Sequence, residues 1–167
     1  MTGGPYVLCN SHSLEHALSQ FLISEDLQLL LANYDNLPQV KLDTSDMKTP
    51  KALVRCSKSE LKGSFVAPEQ KWPFNQLKVF NADEQPGYNE KTDVWKIPDI
   101  VKALLGRDAL KLAESEHILD YLVAVHHKCK RSNPEERPAI SDVLKEYELV
   151  WSLLANTQDI YPSSLQS

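Results

Sequence analysis

The chain has no concentration of positive charge. Its 18 Lys and Arg are dispersed and outnumbered by 23 Asp and Glu, for a net charge of −5, and without a cationic stripe nucleic acid is a poor choice of partner. No apolar run approaches the roughly 18 residues needed to cross a bilayer. The opening residues 1–5 hold neither the charged nor the apolar region of a secretory leader. Cys9, Cys56 and Cys129 lack any Cys-x-x-Cys or His-paired spacing, which argues against zinc, and each reads as a small buried hydrophobe. His12 and His16 stand four apart, yet no His-Glu-x-x-His surrounds them, so they make no metalloprotease motif. A Gly-rich phosphate loop is also missing, because Gly3 and Gly4 have no strand before them and no turn after them. On these grounds the chain reads as soluble and cytoplasmic. Its 167 residues and 42% hydrophobic content allow one sizeable core, hence a single domain.

Tyr6 to Cys9 is an apolar, strand-like run, and the apolar residues from Leu14 to Ile23 need partners, so the opening behaves as the interior of a longer protein. Phe21 to Ile23 and Leu27 to Leu31 flank the turn composition Ser24-Glu-Asp26, which predicts a small hairpin. From Asn36 to Leu61 weak periodicity and scattered Lys, Asp, Ser, Thr and Pro predict a long, partly mobile loop. Thr44, Ser45, Thr49, Ser57 and Ser59 fit there as ordinary loop residues, whose hydroxyls suit turns. Trp72 to Pro86 reads as loop with at most one short helical turn. Asn89 suits the N-cap of a helix that Pro98 should bend and Gly106 should close. Its apolar residues Val94, Trp95, Ile97, Ile100, Val101, Leu104 and Leu105 surround it, so burial is expected. A second, amphipathic helix is expected from Ser115 to about Lys130, with His126 on its apolar face and His127 outward. A third should run from Ile140 to Ala155 with Val143, Leu144, Tyr147, Val150, Trp151 and Leu154 on one face. The polar tail 157–167 should fray.

Three blocks occur in a fixed order: Gly63-Ser-Phe-Val-Ala-Pro-Glu69, then Tyr88-Asn-Glu-Lys-Thr-Asp-Val-Trp95, then Asn133-Pro-Glu-Glu-Arg-Pro138. Ala-Pro-Glu closing an activation segment, Asp-x-Trp opening a buried central helix and Arg-Pro opening the last helix resemble the C-terminal lobe of a protein kinase. The expected fold is therefore mainly α, a protein-kinase-like C-terminal lobe over residues 1–156 with a small β-hairpin near its N-terminus and the N-terminal lobe absent. In such a lobe the hairpin lies under the nucleotide. Glu69 and Arg137 should meet, since a guanidinium fork matches a carboxylate. Asp93 should accept backbone N–H groups of the catalytic loop with Trp95 packed beside it; as a plain helix N-terminus its charge would be worth only ~0.3–1 kcal/mol.

More finely, Gly-x-Phe-Val-Ala-Pro-Glu-Gln-x-Trp-Pro (Gly63 to Pro73), Lys96-Ile-Pro-Asp99 after Asp-x-Trp, Leu18-Ser-Gln-Phe-Leu22, Asp35-x-Leu-Pro38, the three cysteines and the approach from His127 to Pro138 resemble the protein O-mannose kinase family over nearly the whole chain. The resemblance implies an enzyme of the endoplasmic reticulum lumen, held in the membrane by one N-terminal span that this chain lacks. It implies transfer of phosphate from ATP, with Mg2+, to the 6-hydroxyl of mannose in an O-mannosyl trisaccharide on alpha-dystroglycan. In an oxidising lumen three thiols leave one unpaired, or paired with an upstream partner. The family's general base, the Asp of Cys-Asp-Ser, matches Asn10 here, and an amide cannot take a proton near neutral pH. Asn33 falls at the magnesium carboxylate, Asp35 survives beside it, and Gln20 stands where other kinases place a metal-binding Asn. These departures keep a catalytically impaired pseudokinase, docking glycan or protein, open as the alternative. Trp72, Trp95 and Trp151 read as packing anchors, Trp72 being the best sugar-stacking candidate.

Overall fold

A computed structural model describes residues 5–9, 11–26, 28–32, 35, 37–43, 51–56, 58–74, 77–112 and 116–158. Helix α1 (Leu14–Leu18) opens on Ser13, whose hydroxyl accepts from the His16 N–H, an N-cap of the preferred residue type. It occupies a segment for which the sequence pattern gave no helix. Strands β1 (Phe21–Ile23) and β2 (Leu29–Leu31) pair antiparallel with Leu22 opposite Leu30, the hairpin expected there. Leu27 lies outside the described residues.

The expected long loop proves partly ordered. Strands β3 (Lys41–Asp43) and β4 (Lys51–Leu53) form a second antiparallel hairpin. Unlike the all-apolar β1 and β2, Lys41-Leu-Asp43 and Lys51-Ala-Leu53 carry charged residues and do not stand out from loop composition. Thr44, Ser45, Thr49 and Ser57 lie outside the described residues. Residues 5–7 run beside 38–40, with the Val7 N–H donating to Pro38 O at 3.2 Å and the Val40 N–H to Pro5 O at 2.8 Å. Val54 and Tyr88 exchange both backbone bonds. These bridges enclose a small core of Val7, Val40 and Tyr88, with Val54 and Cys56 against it.

The larger core is helical. Helix α2 (Lys91–Leu112) begins where the Asn89 side chain accepts from the Lys91 N–H at 3.1 Å. It passes through Gly106, correcting the expected stop. A glycine ends a helix when it turns left-handed, and inside one it costs only about 1 kcal/mol relative to Ala. Its burial is also uneven: Thr92, Val94, Lys96 and Pro98 are buried, whereas Lys102 to Leu104 are exposed. Helix α3 (Glu116–Cys129) packs on it and α4 (Ile140–Gln158) packs on α3, joining Val94, Val125, Cys129 and Val143 in one cluster flanked by Ile97 and Tyr147. Helix α4 continues past the expected end at Ala155.

The face expected on α4 is narrower than its apolar residues suggest. Val143 and Val150 are buried, while Leu144 is 57% and Trp151 73% exposed. At 100° per residue Leu144 and Trp151 stand a quarter-turn or so away from the Val143–Tyr147–Val150 stripe. Trp151 is therefore no packing anchor. His126 and His127 take the predicted sides, half-buried and exposed. The result is a mainly helical unit with an N-terminal antiparallel hairpin, in keeping with a kinase-like C-terminal lobe.

Candidate functional site

Arg137 is the most completely engaged side chain of the described residues. Ala67 to Gln70 closes into a 3-10 turn begun by Pro68, whose fixed φ suits a first helical position, and this turn presents Glu69. Nearby Gly63 adopts φ +100°, a left-handed conformation that strains any side chain. Arg137 follows a second 3-10 turn at Pro134–Glu136, capped by Asn133. Its guanidinium meets Glu69 at both forks, Nη1 to Oε1 at 2.5 Å and Nη2 to Oε2 at 2.8 Å. The remaining N–H groups donate to the carbonyls of Lys91 at 2.9 Å, Arg131 at 2.7 Å and Ser132 at 3.3 Å. All five donors of a side chain 0% exposed are thereby used. Lys91 Nζ returns a bond to Arg137 O at 2.8 Å. The cation also lies 5.0 Å from the centre of the Trp95 ring, which Lys130 approaches at 4.5 Å while pairing with Asp99. Glu69, Arg137 and Trp95 thus come together in one junction.

Asp93 forms a second junction one turn away. Its Oδ2 accepts the Leu8 N–H at 2.8 Å, the long-range backbone contact expected of it and more than a helix-end charge would make. Its Oδ1 accepts from Lys96 Nζ at 3.1 Å. Burial pushes the carboxyl above its ordinary range, opposed by the Lys96 charge and the Leu8 amide. Both oxygens nevertheless accept from N–H donors, an arrangement that suits a carboxylate. Lys96, only 2% exposed, reaches Ser11 Oγ at 2.5 Å, and that hydroxyl donates to Leu8 O. Sequence reasoning met Lys96 and Ser11 only as parts of motifs and gave neither a role. A lysine between Trp95 and Ile97 in a helix expected to be buried was the available signal, since buried ammonium groups require acceptors.

Cys9 and Cys56 are joined in a disulfide across 47 residues. That corrects their reading as free apolar residues and ties the segment before position 10 to the strand leading toward Gly63. Cys129 is buried and free, its thiol pushed up by burial, and behaves as the small hydrophobe expected.

The metal candidates are more dispersed. Asn10 and Asn33 lie outside the described residues. Asp35 is exposed and already engaged. Gln20 is buried at the foot of β1, its amide donating to His16 O at 3.1 Å and Ser19 Oγ at 3.2 Å while Oε1 has no hydrogen-bond partner. Among the described residues no cluster of three His, Cys, Asp or Glu is placed to hold a metal. A hard amide oxygen left over and one carboxylate fit magnesium in kind, since that ion takes one or two protein oxygens plus phosphate and water. His12 and His16 rings lie 4.0 Å apart, and His16 Nδ1 is 3.1 Å from Ser13 Oγ.

Trp72 borders an open cleft of about 840 Å3, whose other walls include Lys62, Lys71, Phe74, Lys78 and Phe80. Phe74 and Phe80 meet the indole edge to face at 4.7 and 5.2 Å, and its N–H donates to Lys78 O at 3.1 Å. The ring is rigidly held and half-buried, a geometry that can pack or stack.

No protein-family model matches the chain. It is 40% identical over 151 residues to protein O-mannose kinase of Gallus gallus, 40% to that of Homo sapiens and 38% to that of Xenopus laevis. Each match takes in 90% of this chain but 40% of the relative, so the chain spans about two fifths of the length of the curated relatives it matches.

Proposed function

Because the chain belongs to the protein O-mannose kinase family, we propose that the protein moves phosphate from ATP to the 6-hydroxyl of mannose in an O-mannosyl trisaccharide on alpha-dystroglycan. The observation that carries this reading is the Glu69–Arg137 clamp with Asp93 bound to the Leu8 amide, the framework on which a kinase lobe holds its acceptor platform. Phosphoryl transfer depends mainly on positioning and charge neutralisation. The β1–β2 hairpin leaves Leu22, Ile23, Leu29 and Leu30 exposed as an apolar bed for the nucleotide base. Gln20 Oε1 and Asp35 would hold Mg2+, which when bound neutralises the charge of the transferring phosphate. Trp72 would stack on the sugar, with the lysines of its cleft around it. The Cys9–Cys56 disulfide agrees with an oxidising lumen such as that of the endoplasmic reticulum. No helix among the described residues is long and apolar enough to cross a membrane.

A second reading is favoured by two amides. Asn10 at the general-base position and Asn33 at the magnesium position would leave a pseudokinase that docks glycan or a protein partner. A positioned base is worth about 10²–10⁴ in rate. The test is magnesium-dependent ATP binding by the full-length protein, followed by phosphate transfer to the mannose trisaccharide. Transfer above background establishes the kinase; trisaccharide binding with neither ATP binding nor transfer establishes the docking module.

A further inference from the structure

An ammonium group is seldom buried without a task. Lys96 lies on the buried half of α2 with 2% of its side chain exposed, where a lone charge would be costly. Its neighbours close a ring. Lys96 Nζ donates to Ser11 Oγ at 2.5 Å and to Asp93 Oδ1 at 3.1 Å; Asp93 Oδ2 accepts the Leu8 N–H at 2.8 Å; the Ser11 hydroxyl donates to Leu8 O. Within that ring the Ser11 N–H also bonds to Cys9 O at 2.9 Å, and Cys9 is fastened to Cys56. Both covalent neighbours of position 10 are therefore fixed, one by the disulfide and one by Lys96. A neutral side chain of the same length would leave Ser11 Oγ, in a residue 2% exposed, without its donor.

We infer that Lys96 is a positioning residue: acting through Ser11, it holds the backbone at Leu8 and Ser11, on either side of the family's general-base position, in one arrangement. This rests on the kinase reading for its catalytic consequence and on the ring alone for its structural one. Ser11 is too buried to meet substrate, so Lys96 has no direct chemical step. Misplacing a reacting group by about 1 Å can cost on the order of 10²-fold in rate.

The test uses the full-length protein with K96M, K96R, S11A and S11T, observed by hydrogen exchange and by steady-state transfer to the mannose trisaccharide. K96M and S11A should speed amide exchange in residues 6–12 at least tenfold while exchange in α3 is unchanged. They should lower kcat about 10–100-fold with KM for ATP held within twofold, and S11T, which keeps the hydroxyl, should recover most of both. Unchanged exchange in residues 6–12 for a folded K96M protein would overturn the inference, as would equal losses in S11T and S11A. If wild type transfers no phosphate, the kinase reading fails while the exchange comparison still decides the role of Lys96. Should K96M not fold, the S11A and S11T pair carries the decision.

Discussion

Arg137 and Lys96 are both fully buried cations paired with a carboxylate, and they are held in different ways. Arg137 spends five donors on a bidentate carboxylate and three carbonyls, so the planar fork is saturated and one geometry is fixed. Lys96 is a point charge with two side-chain acceptors, one of them on a carboxylate 32% exposed. Arginine thus makes a rigid junction between distant segments, 68 residues apart in the Glu69 contact. Lysine tethers a short turn to a helix through a hydroxyl that can rotate. The comparison predicts unequal costs when the cations are removed.

Truncating the clamp should have the largest effect. R137M or E69A leaves a buried charge without its partner and should destabilise by about 3–5 kcal/mol. K96M should cost less, about 1.5–3 kcal/mol, the range for hydrogen bonds to charged groups, because Asp93 keeps the Leu8 amide and some water. Urea denaturation of both variants, with a double-mutant cycle on Glu69 and Arg137, measures the difference. Equal losses would remove the distinction drawn between the two pairs.

Opening the Cys9–Cys56 disulfide sharpens the same comparison from the covalent side. The bridge closes 47 residues, and a C9S/C56S protein should lose about 2–4 kcal/mol. The loss should make K96M more damaging than in the bridged protein, since the turn 8–11 would then have lost both tethers. The R137M cost should not change, as its contacts lie outside that turn. Thermal unfolding of the four variant combinations reads this coupling.

The two junctions also differed in legibility. Glu69, Arg137, Asp93 and Trp95 could be read because each sits in a short motif whose residue types are tied to one geometry, a fork for a carboxylate or a carboxylate for an amide. Lys96 and Ser11 also fall within motifs, but their contact spans 85 residues and neither motif ties the residue type to one partner. The second hairpin was hidden for a different reason: its strands, Lys41-Leu-Asp43 and Lys51-Ala-Leu53, share the charged composition of the surrounding loop, whereas the equally short β1 and β2 are wholly apolar. Helix existence was legible from the 3.6-residue period in α3 and α4 and from the Asn89 cap and surrounding apolar residues in α2, whereas the end of α2 was not, because a glycine tolerated inside a helix and one that terminates it look alike in sequence.

A third polar contact, half-buried and neutral, offers a pH test. His126 Nε2 lies 2.6 Å from the Tyr147 hydroxyl. Burial lowers the imidazole pKa below its ordinary 6.5, with Asp99 opposing and Lys130 assisting, and burial raises that of Tyr147. The tyrosine therefore stays protonated and donates to a neutral ring. Since the unfolded chain takes up a proton on His126 that the folded chain resists, stability should be unaffected by this group above about pH 6.5 and should fall as pH drops from there through the lower folded value. Urea midpoints between pH 7.5 and 5 should show this slope in wild type and a shallower one in H126Q.

The smallest effect is expected where the sequence promised a large one. Trp151 has the bulk of a core anchor but is 73% exposed, and Leu144 on the same side of α4 is 57% exposed. Substitutions at such positions usually change stability by no more than about 0.5 kcal/mol. Val143, only 2% exposed in the α2–α3–α4 core, should lose more on V143A, about 1 kcal/mol or above, since its buried methyls leave a cavity. W151S and V143A measured side by side by urea denaturation separate the two faces. A W151S loss as large as that of V143A would mean that something covers this face of α4 in solution, and the stripe drawn through Val143, Tyr147 and Val150 would have to be widened to include it.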